Sequence, residues 1–138
     1  MTPRERFAGA RVARLATVRP DGSPHVVPVT FAVLGETVYH AVDAKPKRTR
    51  ALARLENLRA EPRAALLADA YDEDWTRLWW VRADGRARIL DGGEEFAAAL
   101  AALAERYAPY RTAAPAGPVI AVDVERWSGW DASAGGVC

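Results

Sequence analysis

Between Val12 and Val42 the chain reads "VARLATVRPDGSPHVVPVTFAVLGETVYHAV", three apolar segments divided by "RPDG" and "LGE", both suited to chain reversal. This pattern predicts a meander of three strands. Pro24 and Pro28 constrain it further, because neither can donate to a strand ladder. The second strand is therefore expected at an edge, at a bulge, or bent near each proline. Further on, "RAALLADA" reads as a fourth strand and "TRLWWVRADGRARIL" as a fifth, either long or folded back near "ADG". "VIAVDVERW" alternates as a last strand over about 118–127.

Helical signals stand between these strands. Thr2, Pro3 and Glu5 have the pattern of an N-cap, a first-turn proline and a capping-box glutamate, which predicts a short helix over 3–11. From Lys47 the period changes. Ala51, Leu52, Leu55 and Leu58 form an apolar stripe for a helix over 47–58, with Arg50 and Arg54 expected to point away from it, and Pro62 stops it. Asp91 and Glu94 repeat the capping pattern before an alanine-rich helix over 93–107, which Pro109 ends. "YDEDW" is expected as an acidic aromatic loop and "APYRTAAPAGP" as another loop.

The 138 residues suit a single domain, 1–138, with one modest core. Six short strands with two or three helices in so small a unit predict a mainly β fold with flanking helices (α+β). The sheet is expected to close into a six-stranded split barrel with the helices over its open ends.

Several function classes are disfavoured by residues that are missing. The chain has no Ser-His-Asp motif, no HExxH, no GxGxxG and no Walker sequence. Its two histidines and one cysteine, Cys138, show no metal-ligand spacing, and an intramolecular disulfide is impossible. A single cysteine fits a cytoplasmic setting. No apolar run approaches the roughly 20 residues a membrane helix needs, and "MTPRERFAGA" is too charged for a signal peptide. His25 and His40 fall in different expected strands and read as structural or exposed strand residues rather than bases.

Charge is concentrated in one place. The formal net charge is only +1, yet "KPKRTR" brings Lys45, Lys47, Arg48 and Arg50 together around the first turn of a helix, with the Thr49 hydroxyl among them. Cations oppose the helix dipole at that end, and free N–H groups there favour an anion, so a phosphate or carboxylate ligand would reverse the balance. A solvated basic turn is the alternative. A nucleic-acid track is disfavoured, because the aromatics that would stack on bases lie mostly in "YDEDWTRLWW", beside acidic residues. Trp79 and Trp80 are consecutive in a strand and must point to opposite faces, one to the core and one to a partner, helix or ligand. Trp127 reads as core, and Trp130 closes "WSGW".

The stretches "LATVRPDGSPHVVPVTFAV", "DAKPKRTRALARLENLRAEPRAALLADAYDEDW" and "WWVRADGRARI" together resemble the pyridoxamine 5'-phosphate oxidase-like split-barrel proteins. They are most similar to the branch of small actinobacterial proteins that are probable users of the deazaflavin coenzyme F-420. The resemblance runs from Val12 to Trp130. It implies a homodimer with two cofactor sites at the subunit interface, holding F-420 or, alternatively, FMN. By position, Lys45, Lys47, Arg48, Thr49 and Arg50 would hold the cofactor's phosphate end, Arg48 matching the family's contact more closely than Arg54. Pro28, Val29 and Thr30 would line the ring system, and Trp79, Trp80 and Trp130 would approach from the sheet or the partner. An oxidoreductase passing a hydride to a small unsaturated or heterocyclic substrate is implied, with water or an acid such as Asp72 completing protonation. A flavin reductase-like protein, a non-catalytic carrier and a nucleic-acid-binding barrel are the alternatives. The carboxyl-terminal "VERWSGWDASAGGVC" lacks the arginine- and histidine-containing substrate motif of the true oxidase, which argues against vitamin B6 oxidation.

Overall fold

A computed structural model describes residues 1–42, 48–133 and 136–137, with side chains of 48–52 and 136–137 left aside. Along the chain run α1 (Pro3–Gly9), β1 (Ala13–Val18), β2 (Pro24–Val29), β3 (Ala32–Leu34), β4 (Thr37–Ala41), α2 (Arg48–Ala60) and β5 (Arg63–Ala70). They are followed by β6 (Trp79–Leu90), α3 (Glu94–Arg106), α4 (Pro109–Thr112), β7 (Val119–Asp131) and the two-residue β8 (Gly136–Val137). Hydrogen-bonded neighbours follow the order β2-β1-β5-β6-β7-β4-β3, and β8 pairs with β7. Every pairing is antiparallel.

The two ends of that order, β2 and β3, are consecutive in the chain and separated only by Thr30 and Phe31. A sheet whose two edges are joined by two residues must curl until they meet. This is the split barrel. The second strand lies at an edge of the order, one of the outcomes its prolines allowed, and it divides outright at Thr30 and Phe31, so six expected strands become seven on the sheet path. The short β8 adds an eighth. The fifth strand is long and unbroken, with a register shift against β7 at Asp84/Gly85. A Cβ on Gly85 would overlap the Asp123 carbonyl oxygen, so a glycine permits the close approach there. The shift also changes which residues of β7 face inward, turning Trp127 into the interior, as expected, and Trp130 outward.

The barrel interior holds Phe7, Leu15, Val29, Phe31, Val38, Val42, Leu66, Val81, Ile120 and Val122, with Leu55 and Leu58 supplied by α2. Phe7 is delivered by α1, whose Thr2–Glu5 capping box is present as predicted, and its ring lies 4.7 Å from that of Phe31 and 5.4 Å from that of Trp127. A second cluster, Ala32, Tyr39, Ala41, Val119 and Ala121 with Ala99 and Leu103 of α3, sits on the outer face of β3, β4 and β7. The alanine-rich helix thus covers a face of the sheet rather than an open end.

The capping of α3 differs from expectation. Its N-cap is Gly93, at φ 95°, with no side-chain hydrogen bond, and Asp91 lies too early to reach the first-turn amides. Within the expected loop after it, Pro109 opens the single turn α4. Arg54 also departs from its expected outward direction, for reasons that define the site.

Candidate functional site

The corner between β2 and β3 is held from two sides. The Thr30 carbonyl accepts from His40 Nδ1 at 2.9 Å, and the Thr30 hydroxyl shares a hydrogen bond with the Tyr110 hydroxyl at 2.7 Å. Next to it, the buried Tyr107 hydroxyl accepts from the Phe31 N–H at 3.2 Å and donates to the Arg11 carbonyl at 2.9 Å. A two-residue connection carrying the barrel's closure is therefore pinned through backbone and side chain. Tyr107 and Tyr110, three residues apart at the end of α3 and in α4, were not singled out by sequence reading. Two tyrosines flanking Pro109, where the long helix must end, were the available signal.

His40 in turn anchors α2. Arg54 Nη1 lies 2.6 Å from His40 Nε2. A carbonyl can only accept and a guanidinium can only donate, so the imidazole is the neutral Nδ1–H tautomer with a free lone pair on Nε2. Burial, and then the neighbouring Arg54 charge, push the His40 pKa down to about 4. Burial lowers that of Arg54 as well. Its Nε is shut off from solvent with no hydrogen-bond partner, and among the described residues no carboxylate lies within ion-pair distance of it.

One turn further along α2, the buried Asn57 donates through Nδ2 to the buried Thr17 hydroxyl at 3.1 Å. Thr17 faces His25 across the β1–β2 pair, and His25 Nδ1 is likewise buried without a partner. Burial, with the charges of Arg19 and Arg54, lowers the His25 pKa. A continuous polar seam therefore runs beneath α2 from His25 through Thr17 and Asn57 to Arg54, His40 and Thr30.

The expected site residues separate into groups. Lys45 and Lys47 lie outside the described residues. Arg48, Thr49 and Arg50 form the first turn of α2, as expected, directly ahead of Arg54. Val29 points into the core, Pro28 is exposed on the outer face, and Thr30 forms the pinned corner. Trp79 packs against the interior, with the Arg6 guanidinium 5.3 Å from its ring centre. Trp80 is on the opposite face, directly across from Trp130. Ile120 of β7 pairs with His40, which holds Thr30, and Trp130 lies roughly 30 Å further along that strand with Trp80 directly across from it, so within one subunit neither joins Thr30. Asp72 sits in the exposed loop after β5, where its Oδ1 accepts from the Asp74 N–H at 2.9 Å, and it is not brought to the corner.

Among the described residues no helix packs on the outer face of β2, β1, β5 and β6. Val18, Val26 and Leu67, 36%, 59% and 39% exposed, lie there with Ala16, Ala65, Trp80 and Trp130. Leu67, Tyr71, Trp80 and Arg82 surround an open cleft of about 290 Å³ on this side. The exposed apolar side chains Val18, Val26 and Leu67 stand on three adjacent strands, β2, β1 and β5. Among the described residues no group of three or more His, Cys, Asp or Glu side chains could hold a metal, and no helix is long and apolar enough to cross a membrane.

The donors gathered here suit an oxygen-rich anion. A phosphate-bearing group would complete the orphaned Arg54 Nε and oppose its uncompensated charge, so the residues present fit the phosphate end of a flavin-type cofactor.

Comparison with known proteins points the same way. The family model described as pyridoxamine 5'-phosphate oxidase matches residues 3–131. Among solved structures, a conserved hypothetical protein of Mycobacterium tuberculosis superposes with a TM-score of 0.76 at 24% identity, over 96% of this chain and 86% of that one. A heme binding protein of Mycobacterium smegmatis gives 0.76 at 26% identity over 99% of this chain, which spans 55% of that protein. A protein described as an F420 reductase gives 0.65 at 25% identity, over 90% of this chain and 94% of that one. No curated protein matches.

Proposed function

Since the chain belongs to the pyridoxamine 5'-phosphate oxidase-like split-barrel family, we propose that it is an oxidoreductase that binds the deazaflavin coenzyme F-420 and acts on a small unsaturated or heterocyclic substrate. Two copies associate through the uncovered face of β2, β1, β5 and β6. The observation that carries this reading is the placement of Arg48, Thr49 and Arg50 in the first turn of α2, the helix that Arg54 and His40 tie to the Thr30 corner. Cations for an anionic tail and a rigid strand corner for a planar ring thus adjoin. The F420 reductase among the structural neighbours supports the choice of cofactor, and the heme binding protein is the counter-example to be tested.

A bound deazaflavin supplies the hydride chemistry itself, which accounts for the absence of a catalytic motif. The chain's own contribution is to bind and orient. The first turn of α2, with Lys45 and Lys47 ahead of it, attracts the anionic end. The β2–β3 corner presents backbone and the Thr30 hydroxyl, already fixed by His40 and Tyr110. The second copy would bring Trp80 and Trp130 toward a site they cannot reach within their own subunit, and would bury Val18, Val26 and Leu67.

Titration of the purified protein with F-420, FMN and haem in parallel, with sedimentation of each sample, tests the reading. The expected result is micromolar binding of F-420 by a dimer. Tight binding of FMN or haem without F-420 would replace the cofactor assignment, and a 15 kDa species at saturating cofactor would remove the shared site.

A further inference from the structure

Three arginines meet around the last turn of α3, and among the described residues none of them has a carboxylate within ion-pair distance. Arg106 donates through Nη1 and Nη2 to the Ala8 and Ala10 carbonyls at the end of α1. Arg11 donates to the Arg106 carbonyl at 2.7 Å, and Arg111 to the Ala104 and Glu105 carbonyls at 2.7 and 2.6 Å. The Arg11 and Arg106 guanidinium carbons lie 4.7 and 5.3 Å from the centre of one ring, that of Tyr107. Carbonyls complete these hydrogen bonds but carry no net charge. The helix end offers only about half an elementary charge, so three guanidiniums leave a surplus. Glu105 is the one acidic residue in the segments that meet here, 8–12, 29–32 and 102–113. On the sheet, by contrast, Arg14, Arg63, Arg82, Arg86 and Arg88 all have carboxylate partners.

One exposed segment of the chain has the opposite character. Residues 71–77, between β5 and β6, are all exposed, and Asp72, Glu73 and Asp74 outweigh Arg77 there. The loop is fixed from within, because Asp72 accepts from the Asp74 N–H and Asp74 from the Thr76 N–H and hydroxyl at 3.1 and 2.6 Å. Glu73, between them, makes no hydrogen bond or ion pair among the described residues. Tyr71 and Trp75 stand 74% and 75% exposed on the same loop. Ordered aromatics beside a surplus of one sign suit a contact with a surface of the other. Within one subunit the two do not meet: the loop leaves the sheet at the Trp79 end of β6, paired with Asp131, whereas the arginines flank the Thr30 corner near the other end of β7.

We propose that the acidic loop 71–77 of each subunit docks onto the Arg11, Arg106 and Arg111 cluster of a second copy, Glu73 facing Arg11, and so carries Trp75 to the outer side of that copy's Thr30 corner. This rests on the pairing of copies in the reading above, but not on the cofactor's identity. That pairing brings Trp80 and Trp130 of one copy to the Thr30 corner of the other, and residues 71–77, joined to the same strand end, travel with them. On the far side of the corner the Thr30 hydroxyl is bonded to Tyr110, and Arg111 is the next residue. Two-fold symmetry makes the contact occur twice, which doubles a modest ion pair. Assembly of the shared site thereby becomes sensitive to salt.

Sedimentation of the full chain at low and high salt, with a melting curve for each variant, tests the contact. The parent dimer should be about ten-fold weaker at high salt. Glu73→Arg and Arg11→Glu should each weaken it at low salt by about ten-fold or more, and the two together should restore it to within about three-fold of the parent. Arg59→Glu, at an exposed arginine of α2, should leave the dimer unchanged. Glu73→Arg, on an exposed loop, carries the comparison if Arg11→Glu fails to fold, with Arg11→Gln as the milder exchange. A dimer indifferent to salt and to Glu73→Arg would overturn the inference and leave the proposed function intact. Single reversals that stay weak in combination would overturn it as well. Dimerisation that survives Leu67→Arg but not Glu73→Arg would sustain the loop contact and remove the pairing face. A salt-sensitive, swap-restored dimer that binds no F-420 would sustain the inference and remove the cofactor assignment. A monomeric parent would overturn it, and binding of poly-L-glutamate that is lost in Arg11→Gln would then give the cluster to an acidic partner of another kind.

Discussion

Acidification should destabilise this protein well before its carboxylates titrate, and His40 sets the size of the effect. Its pKa falls from 6.5 in an exposed setting to about 4 in the fold, because burial and Arg54 both oppose a positive imidazole. Above pH 6.5 the residue is neutral in both states and contributes no pH dependence. As the pH falls from 6.5 toward 4, the unfolded chain takes up a proton that the folded chain refuses. Stability drops by about 1.4 kcal/mol per pH unit, approaching about 3 kcal/mol over the whole interval. Two groups are bonded to the ring, Arg54 and the Thr30 carbonyl, and the lowered pKa of His25 on β2 adds in the same direction. The lowered carboxylates Glu61, Glu95 and Asp131, each near 2, lose their contribution only below the ordinary carboxylate range, so the upper part of the window belongs to the histidines. Urea unfolding of the parent and His40→Gln between pH 7 and 4.5, at fixed protein concentration, isolates the term. The parent should lose stability more steeply than the variant by roughly 2 kcal/mol over that interval. Parallel curves would show that His40 is not the buried neutral acceptor described.

Other outcomes follow from named contacts. Arg48→Ala should weaken F-420 binding about ten- to hundred-fold by calorimetry, on the scale of about 1.5 to 3 kcal/mol for a charged hydrogen bond, while Arg59→Ala changes it little; equal losses would misplace the phosphate. Leu67→Arg, in the middle of the uncovered sheet face, should convert a sedimenting dimer to monomer with the fold retained, and an unchanged dimer would put the interface elsewhere. Phe7→Ala removes a fully buried ring packed on Phe31 and Trp127 and should cost about 3 to 5 kcal/mol in urea unfolding. Gly85→Ala drives a methyl into the Asp123 carbonyl at the β6–β7 irregularity and should lower stability by about 1 to 3 kcal/mol, where a neutral result would mean the strands can part without cost.

Periodicity, prolines and capping signals are properties of neighbouring residues, and for that reason the sequence by itself determined most of the elements. Alternation located β1, β4, β5, β6 and β7, Thr2 and Glu5 located the start of α1, and the leucine spacing located α2. The number of strands in so small a unit extended this to a barrel, and the resemblance carried by the central stretches agreed. Pro24 and Pro28 left an edge, a bulge or a bend open for the second strand, and the fold shows the edge. What they could not announce is that it would divide at Thr30 and supply both edges of one sheet, because closure depends on how five intervening strands accumulate twist. Asp91 matched a capping pattern, yet Gly93 caps α3, since a glycine at positive φ starts the helix later at no steric cost. Arg54 shows the same limit at the site. It occupies an edge of the apolar stripe of α2, and the usual preference of arginine for water assigned it outward. Only the folded chain brings His40, from a strand that pairs with β7, under that helix to receive it. Likewise the separation of Trp79 from Trp80 followed from strand geometry, whereas the position of Trp80 opposite Trp130, on a face no helix covers, required the register of β6 on β7. Local chemistry chose the elements. The long-range pairing that no short stretch encodes decided which polar groups were left facing one another without partners beneath α2.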